Sequence, residues 1–197
     1  MIYYYPNRPI LIPPDPENPL DPRPDYINGL ESSGQYIAEQ KWNGDNCLVY
    51  ILPDGSLQFW SRHRTQLKYT PSPAVAAELL LWPLDSILNV ELVHNRTKTV
   101  KDTLIVHCIM RWKGKWLMGK TWGYSRKLLE RGSHGEHVIV SPVWTTGFWD
   151  LFQEADGTII EGIILKDPKG ALVFSANKSP DVGWMRKIRK PCKKYNF

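Results

Sequence analysis

One amine carries the first chemical reading of this chain. In Tyr36-Ile37-Ala38-Glu39-Gln40-Lys41-Trp42-Asn43-Gly44-Asp45-Asn46, a short apolar stretch delivers Lys41 into a polar turn containing a glycine. An amine flanked by a carboxylate and amides, beside a glycine that lets a bulky ligand approach the backbone, suits nucleophilic attack on an electrophile. A solvated lysine at a strand end is the commoner fate of so short a pattern. Glu161 is the second informative residue. It interrupts the apolar run Thr158-Ile159-Ile160-Glu161-Gly162-Ile163-Ile164-Leu165, and a carboxylate buried there needs a cation or donors. Near the end of the chain, Trp184-Met185-Arg186-Lys187-Ile188-Arg189 sets Lys187 and Arg189 on one side of a strand and Ile188 on the other.

Arg62 in Phe59-Trp60-Ser61-Arg62 and Glu91 in Asn89-Val90-Glu91-Leu92-Val93 lie between these segments. Taken in order, the five segments resemble the nucleotidyltransferase motifs of covalent polynucleotide ligases and mRNA capping enzymes, from about residue 36 to 190. The resemblance implies that Lys41 attacks the α-phosphorus of ATP, releases pyrophosphate and becomes a lysyl-AMP. Such attack needs an uncharged amine, so the lysine must titrate below its ordinary value of about 10.4, helped by burial and nearby cations. Lys187 and Arg189 supply that field. The family's usual spacing after the tryptophan falls on Arg186 and Ile188, but Lys187 and Arg189 keep one apolar residue between two cations and are preferred.

The same resemblance gives Glu161 a Mg²⁺ or Mn²⁺ at the triphosphate, since hard cations favour carboxylate oxygen. Glu91 then contacts the ribose hydroxyls or the metal, Arg62 a phosphate of the nucleotide or of the nucleic-acid end, and Glu39 the base. His107, in Leu104-Ile105-Val106-His107-Cys108-Ile109-Met110, either stacks on the base or is a satisfied core residue. Lys166 has the opposite parity to Glu161 and faces away unless the strand bends at Gly162. Asn46 replaces the arginine common in DNA ligases and capping enzymes and resembles nick-sealing RNA ligases, whereas Trp42 and Phe-Trp-Ser-Arg look more like bacterial ATP-dependent DNA ligases. RNA is slightly favoured over DNA, with DNA ligase, capping-type guanylyltransferase and a non-catalytic end-binding module as alternatives. The implied partner is a nucleic acid with 5′-phosphate and 3′-hydroxyl ends.

Strands and helices must position these groups. Tyr36 to Gln40, Cys47 to Leu52 and Leu57 to Ser61 read as an antiparallel meander with a turn at Pro53-Asp54-Gly55. Pro73 to Trp82 reads as a helix capped by Ser72, Ser125 to Arg131 as a helix closed by Gly132, and Phe148 to Ala155 as another. Further strands are expected at Ser86 to Val93, Thr103 to Met110, Thr158 to Lys166, Ala171 to Ser175 and Trp184 to Arg189, with a hairpin tip at Gly114. The class is α+β, with mostly antiparallel sheets and packed helices, and the resemblance makes it a ligase-type adenylation domain.

The expected organisation is a proline-rich arm over 1–30, a nucleotidyltransferase domain over 31–190 and a short basic tail over 191–197, with no C-terminal oligonucleotide-binding barrel. Residues 6–25 hold eight of the sixteen prolines, which disfavours helix and central strand there. A formal charge of +5 fits an anionic partner, and from Lys178 to Phe197 seven basic residues face the single acid Asp181. Three widely spaced cysteines (Cys47, Cys108, Cys192) support neither a disulfide framework nor zinc, and His134-x-x-His137 lacks a third ligand. With no signal peptide and no apolar run long enough to span a bilayer, a monomeric, cytoplasmic protein is expected.

Overall fold

Short β-rich runs joined by turns build two sheets, the larger from strands buried along most of their length. The computed structural model describes residues 3–12, 24–132 and 135–190. In chain order the elements are β1 (Arg8–Leu11), α1 (Pro24–Ser32), β2 (Ile37–Trp42), β3 (Asp45–Ile51), β4 (Leu57–Ser61), α2 (Pro73–Leu80), β5 (Ser86–Val93), β6 (Thr103–Trp112), β7 (Lys115–Trp116), α3 (Trp122–Leu129), β8 (Val138–Val140), α4 (Phe148–Glu154), β9 (Ile160–Lys166) and β10 (Asp181–Arg189). They divide into two units. The fold is α+β, with antiparallel pairing throughout except β1 with β10 and β6 with β8.

One unit spans Arg8–Asn43 and Pro142–Gly170 and continues from Asp181. Its sheet runs β1-β10-β9-β2. Ala38, Ile163, Leu165 and Ile188 share one face and are fully buried against Ile27, Phe148, Leu151 and Phe152 of α1 and α4. The two helices are joined by Glu31, whose carboxylate accepts from the Gly147 and Phe148 amides, each at 2.8 Å, and so caps the first turn of α4. Arg186 also lies on the helix side, its guanidinium 5.9 Å from the Tyr36 ring centre and bonded to the Tyr36 and Tyr26 hydroxyls.

The second unit comprises Met1–Asn7, Gly44–Ser141 and Ala171–Pro180. Its sheet has the order β4-β3-β5-β6-β7, with β8 also paired to β6. Ser72 caps α2 by accepting from Val75 N, and Thr121 caps α3 by accepting from Tyr124 N. Glu78 of α2 accepts from the backbone of Glu136, His137 and Val138, satisfying the entry to β8. Cys47 and Cys108 are buried and in no disulfide among the described residues, and burial pushes the Cys47 thiol up to about 12. Cys192, Lys193 and Lys194 lie outside the described residues, as does His134.

Two expectations need correction. The proline-rich stretch contains a strand and the start of a helix. β1 is an edge strand, where Pro9 costs no interior ladder bond and the register breaks just after it, and α1 begins on Pro24, where a missing amide is harmless. Residues 13–23 of the proposed arm lie outside the described set. Ala171 to Ser175 is not a strand, because Leu172 N bonds Lys120 O, Val173 O accepts from Asn7 and Ser175 pairs with Tyr5. These bonds go to several segments, so no continuous ladder forms.

The active face depends on an irregularity in β9. Lys41 pairs with Gly162, but Trp42 pairs with Ile160, leaving Glu161 as the extra residue of a β-bulge. Gly162 has a φ of 149°, and a Cβ there would lie 2.1 Å from the Ile188 carbonyl oxygen. Gly162→Ala is therefore expected to destabilise the protein by at least the ~1–3 kcal/mol of a strained backbone residue. Urea denaturation measures this, and an unchanged midpoint would count against the bulge as the reason for glycine.

Candidate active site

Cross-strand register decides which side chains meet. Glu39 pairs with Ile164, Lys41 with Gly162 and Ile37 with Lys166 across β2 and β9, while Lys187 pairs with Ile164 and Arg189 with Gly162 across β9 and β10. Directly paired residues project to the same side of a sheet. Glu39, Lys41, Lys166, Lys187 and Arg189 therefore share the face opposite the helices. Glu161 joins them only because the bulge turns it over.

The Lys41 amine donates to a Glu161 carboxylate oxygen, and Arg189 Nε lies 3.4 Å from that same oxygen. Gly162, with no side chain, occupies the position between Lys41 and Arg189, so one carboxylate can serve both cations. The Lys41 and Glu161 side chains are only 13% and 8% exposed. At that burial neither charge could be left alone cheaply.

A second ion pair, Lys166 with Glu39 at 2.8 Å, is buried deeper still, the side chains being 3% and 1% exposed. This corrects one reading, since Lys166 does not face away: the strand bends at Gly162 and brings it to Glu39. Lys166 is the site residue that parity reasoning missed, and the glycine inside an otherwise apolar strand was the signal for it.

Lys187 differs from its neighbours. No ion-pair partner is found for it among the described residues, and burial, followed by the charges of Arg189 and Lys41, holds its pKa below the ordinary lysine value. Four cations thus face two carboxylates on this surface. The excess positive charge suits a polyanion such as a triphosphate.

The other predicted residues belong to the second unit. Asn46 and Glu91 are paired across β3 and β5, where Asn46 donates to Asn89 Oδ1 at 2.9 Å and Glu91 Oε1 accepts from Gly44 N at 3.1 Å. Gly44 is required by closeness, since a Cβ there would lie 2.6 Å from Leu92 O and 2.7 Å from Glu91 Cγ. His107 is the extra residue where the β5–β6 register shifts between Asn89 and Val90, and it is half-buried. Arg62 lies exposed in the turn after β4, with its Nε 3.2 Å from His63 Nε2. His137 gives its backbone amide to Glu78.

Among the described residues, no group of three or more His, Cys, Asp or Glu side chains could cage a metal. The Glu161 carboxylate, on a face where cations outnumber acids, fits a Mg²⁺ or Mn²⁺ held chiefly by phosphate oxygens, the arrangement Mg²⁺ favours. Among the described residues, no helix is long and apolar enough to cross a membrane.

No protein-family model and no curated protein sequence matches the chain. Solved structures do. The ligase domain of LigD from M. tuberculosis superimposes with a TM-score of 0.63 over 93% of this chain and 59% of that one, at 18% identity. A mycobacterial DNA ligase D complexed with ATP and MES gives 0.61 over 92% and 60%, also at 18% identity. The ATP-dependent DNA ligase of bacteriophage T7, in complex with ATP, gives 0.55 over 93% and 68% at 12% identity. The chain spans about three fifths of the length of the first two structures. Its fold is that of the ligase nucleotidyltransferase domain.

The two ion pairs predict different responses. Glu39→Gln or Lys166→Met alone should cost about 3–5 kcal/mol, because each strands a buried charge, whereas Glu39→Leu with Lys166→Met should recover most of the loss; a denaturation double-mutant cycle reads this. Lys187 has a lowered folded-state pKa, so the unfolded chain binds its proton more readily and stability rises with pH up to about 10.4. Lys187→Met should therefore raise the melting temperature at pH 7, with the gain shrinking toward pH 10.4. A gain that does not vary with pH would refute the electrostatic account.

Proposed function

We propose that the chain is an ATP-dependent polynucleotide ligase that works through a lysyl-AMP on Lys41. The observation that carries this reading is the Lys41 amine held against Glu161 on a face that also bears Arg189 and the half-buried cation of Lys187. In the first step Lys41 Nζ attacks the α-phosphorus of ATP. A P–N bond forms, the bond to the bridging oxygen of the pyrophosphate breaks, and pyrophosphate leaves. Glu161 holds the amine in place and is the acceptor at hand for its proton. Lys187 and Arg189 stabilise the negative charge that grows on the phosphate oxygens.

Glu161 is also the residue that would hold the divalent cation, which supplies charge neutralisation of the triphosphate. Glu91 keeps the ribose or metal role, and Arg62 and His107 the nucleotide contacts, that motif order assigns them. Buried and ion-paired to Lys166, Glu39 offers a fixed acceptor edge for reading a base. AMP then passes to a 5′-phosphate and a 3′-hydroxyl displaces it.

Nicked DNA is favoured as substrate over RNA. The superimposable structures named above include DNA ligases, and Asn46, which pointed to RNA, spends its amide on Asn89 within its own sheet. Use of ATP is supported by its presence in two of those structures.

Incubation with α-labelled ATP and Mg²⁺ should yield a covalent adduct, absent in Lys41→Ala and formed about 10²-fold more slowly in Lys187→Met. No adduct in the wild-type protein would sink the proposal, and labelling by GTP instead of ATP would make the chain a capping-type guanylyltransferase. Nicked DNA and nicked RNA offered side by side separate the substrates.

A further inference from the structure

Apart from Arg62, the second unit carries a charge pattern that the adenylation chemistry does not use. Residues 62–68 (Arg-His-Arg-Thr-Gln-Leu-Lys) and 94–101 (His-Asn-Arg-Thr-Lys-Thr-Val-Lys) hold six Lys or Arg between them and no acid. Arg62, Arg64 and Lys68 are exposed in the first segment, and Arg96, Lys98 and Lys101 in the second. Arg96 spends part of its charge on Asp45 at 2.8 Å. Lys101 donates to the His94 carbonyl, which orders the backbone without neutralising the cation.

Topology puts the two segments at one end of the sheet. β3 lies between β4 and β5 and is antiparallel to both, so β4 and β5 run the same way and the chain leaves both beside the start of β3. Strands two positions apart are about 10 Å apart, so the two loops emerge as neighbours. They are also tied together. Tyr69, just past the first segment, donates its hydroxyl to Asp102, just past the second. The other carboxylate oxygen of Asp102 accepts from Ser72 N at 3.2 Å, its own amide donates to His94 Nδ1, and the Tyr69 and His94 rings lie 5.4 Å apart. Asp102 adopts a φ of 52°, and its three bonds hold it there.

We propose that these two loops form one binding surface for the phosphate backbone of a nucleic-acid duplex. The duplex follows from what the loops lack. Single strands are held by stacking bases on exposed aromatic rings as well as by charge, yet neither segment contains Trp, Phe or Tyr, and Tyr69 is spent edge-on against Phe59 and His94 with its hydroxyl bonded. Cations on two tethered loops suit two rows of phosphates. The surface rests on the ligase reading for its biological partner, but its binding needs neither ATP nor Lys41.

Binding of a labelled nicked DNA duplex, measured without ATP over a range of salt concentrations, tests the surface. Lys68→Gln and Lys98→Gln should each reduce the slope of log affinity against log salt by about one, and together weaken binding at low salt by about 10–10²-fold. Lys113→Gln with Lys115→Gln removes the same charge from the β6–β7 hairpin at the other end of the sheet and should leave affinity near wild type. The rate of self-adenylation should be unchanged in all of them. Equal binding by wild type and the Lys68→Gln/Lys98→Gln variant, an equal loss in the hairpin variant, or single strands bound as tightly as duplex would overturn the proposal. Lys41→Ala should retain the binding, so a failure of the lysyl-AMP and a failure of this surface are read separately.

Discussion

A single extra residue in β9 governs the arrangement of the charged face. Without the bulge, Glu161 would point toward α1 and α4, into a layer of Ile, Leu and Phe that offers it no partner, and Lys41 would lose its carboxylate. With the bulge, strict alternation resumes on either side, so Ile163 and Leu165 still seal the core while Lys166 reaches Glu39. The cost is a glycine held at a φ that other residues adopt with strain. What stabilises it is the ladder on both sides, since β9 is paired to β2 and β10 along its length.

The face shows how two ion pairs with the same residue types can differ in character. Lys166 and Glu39 satisfy each other with almost no solvent access, and such a pair fixes geometry more than it adds stability. Lys41 and Glu161 are a little more open and share their carboxylate with Arg189. The first pair is the more deeply buried, while the second is shared among three side chains. Lys187 completes the gradient as a half-buried cation for which no ion-pair carboxylate is found among the described residues.

Much of this was legible in the sequence because it rests on period-two alternation. The placement of Lys187 and Arg189 opposite Ile188 follows from parity alone, while the extents of β4 and β5 follow from β-type composition and the Ser72 cap of α2 from a hydroxyl just before a run of helix formers. What escaped depends on departures from that period or on tertiary pairing. Lys166 was misplaced by a bulge that parity cannot see, and His107 sits at another. β8 has three residues, too few for a pattern, and exists because β6 offers it an edge and Glu78 takes its amides. β1 was hidden by prolines that an edge strand tolerates.

The order of strands in the smaller sheet has a bearing on how the protein is made. β10 is inserted between β1 and β9, and Arg8 bonds Asp181 across 173 positions of chain. Closing so long a loop is entropically slow, and such non-local pairings form late. During synthesis, at roughly 5–20 residues per second, β2 and β9 can pair before β10 has emerged. A nascent chain would thus hold Lys41 and Glu161 together without Lys187 or Arg189. Two of the four cations on that face arrive only with the last described strand, so a truncated or unfinished molecule carries the Lys41–Glu161 pair on a less positive surface.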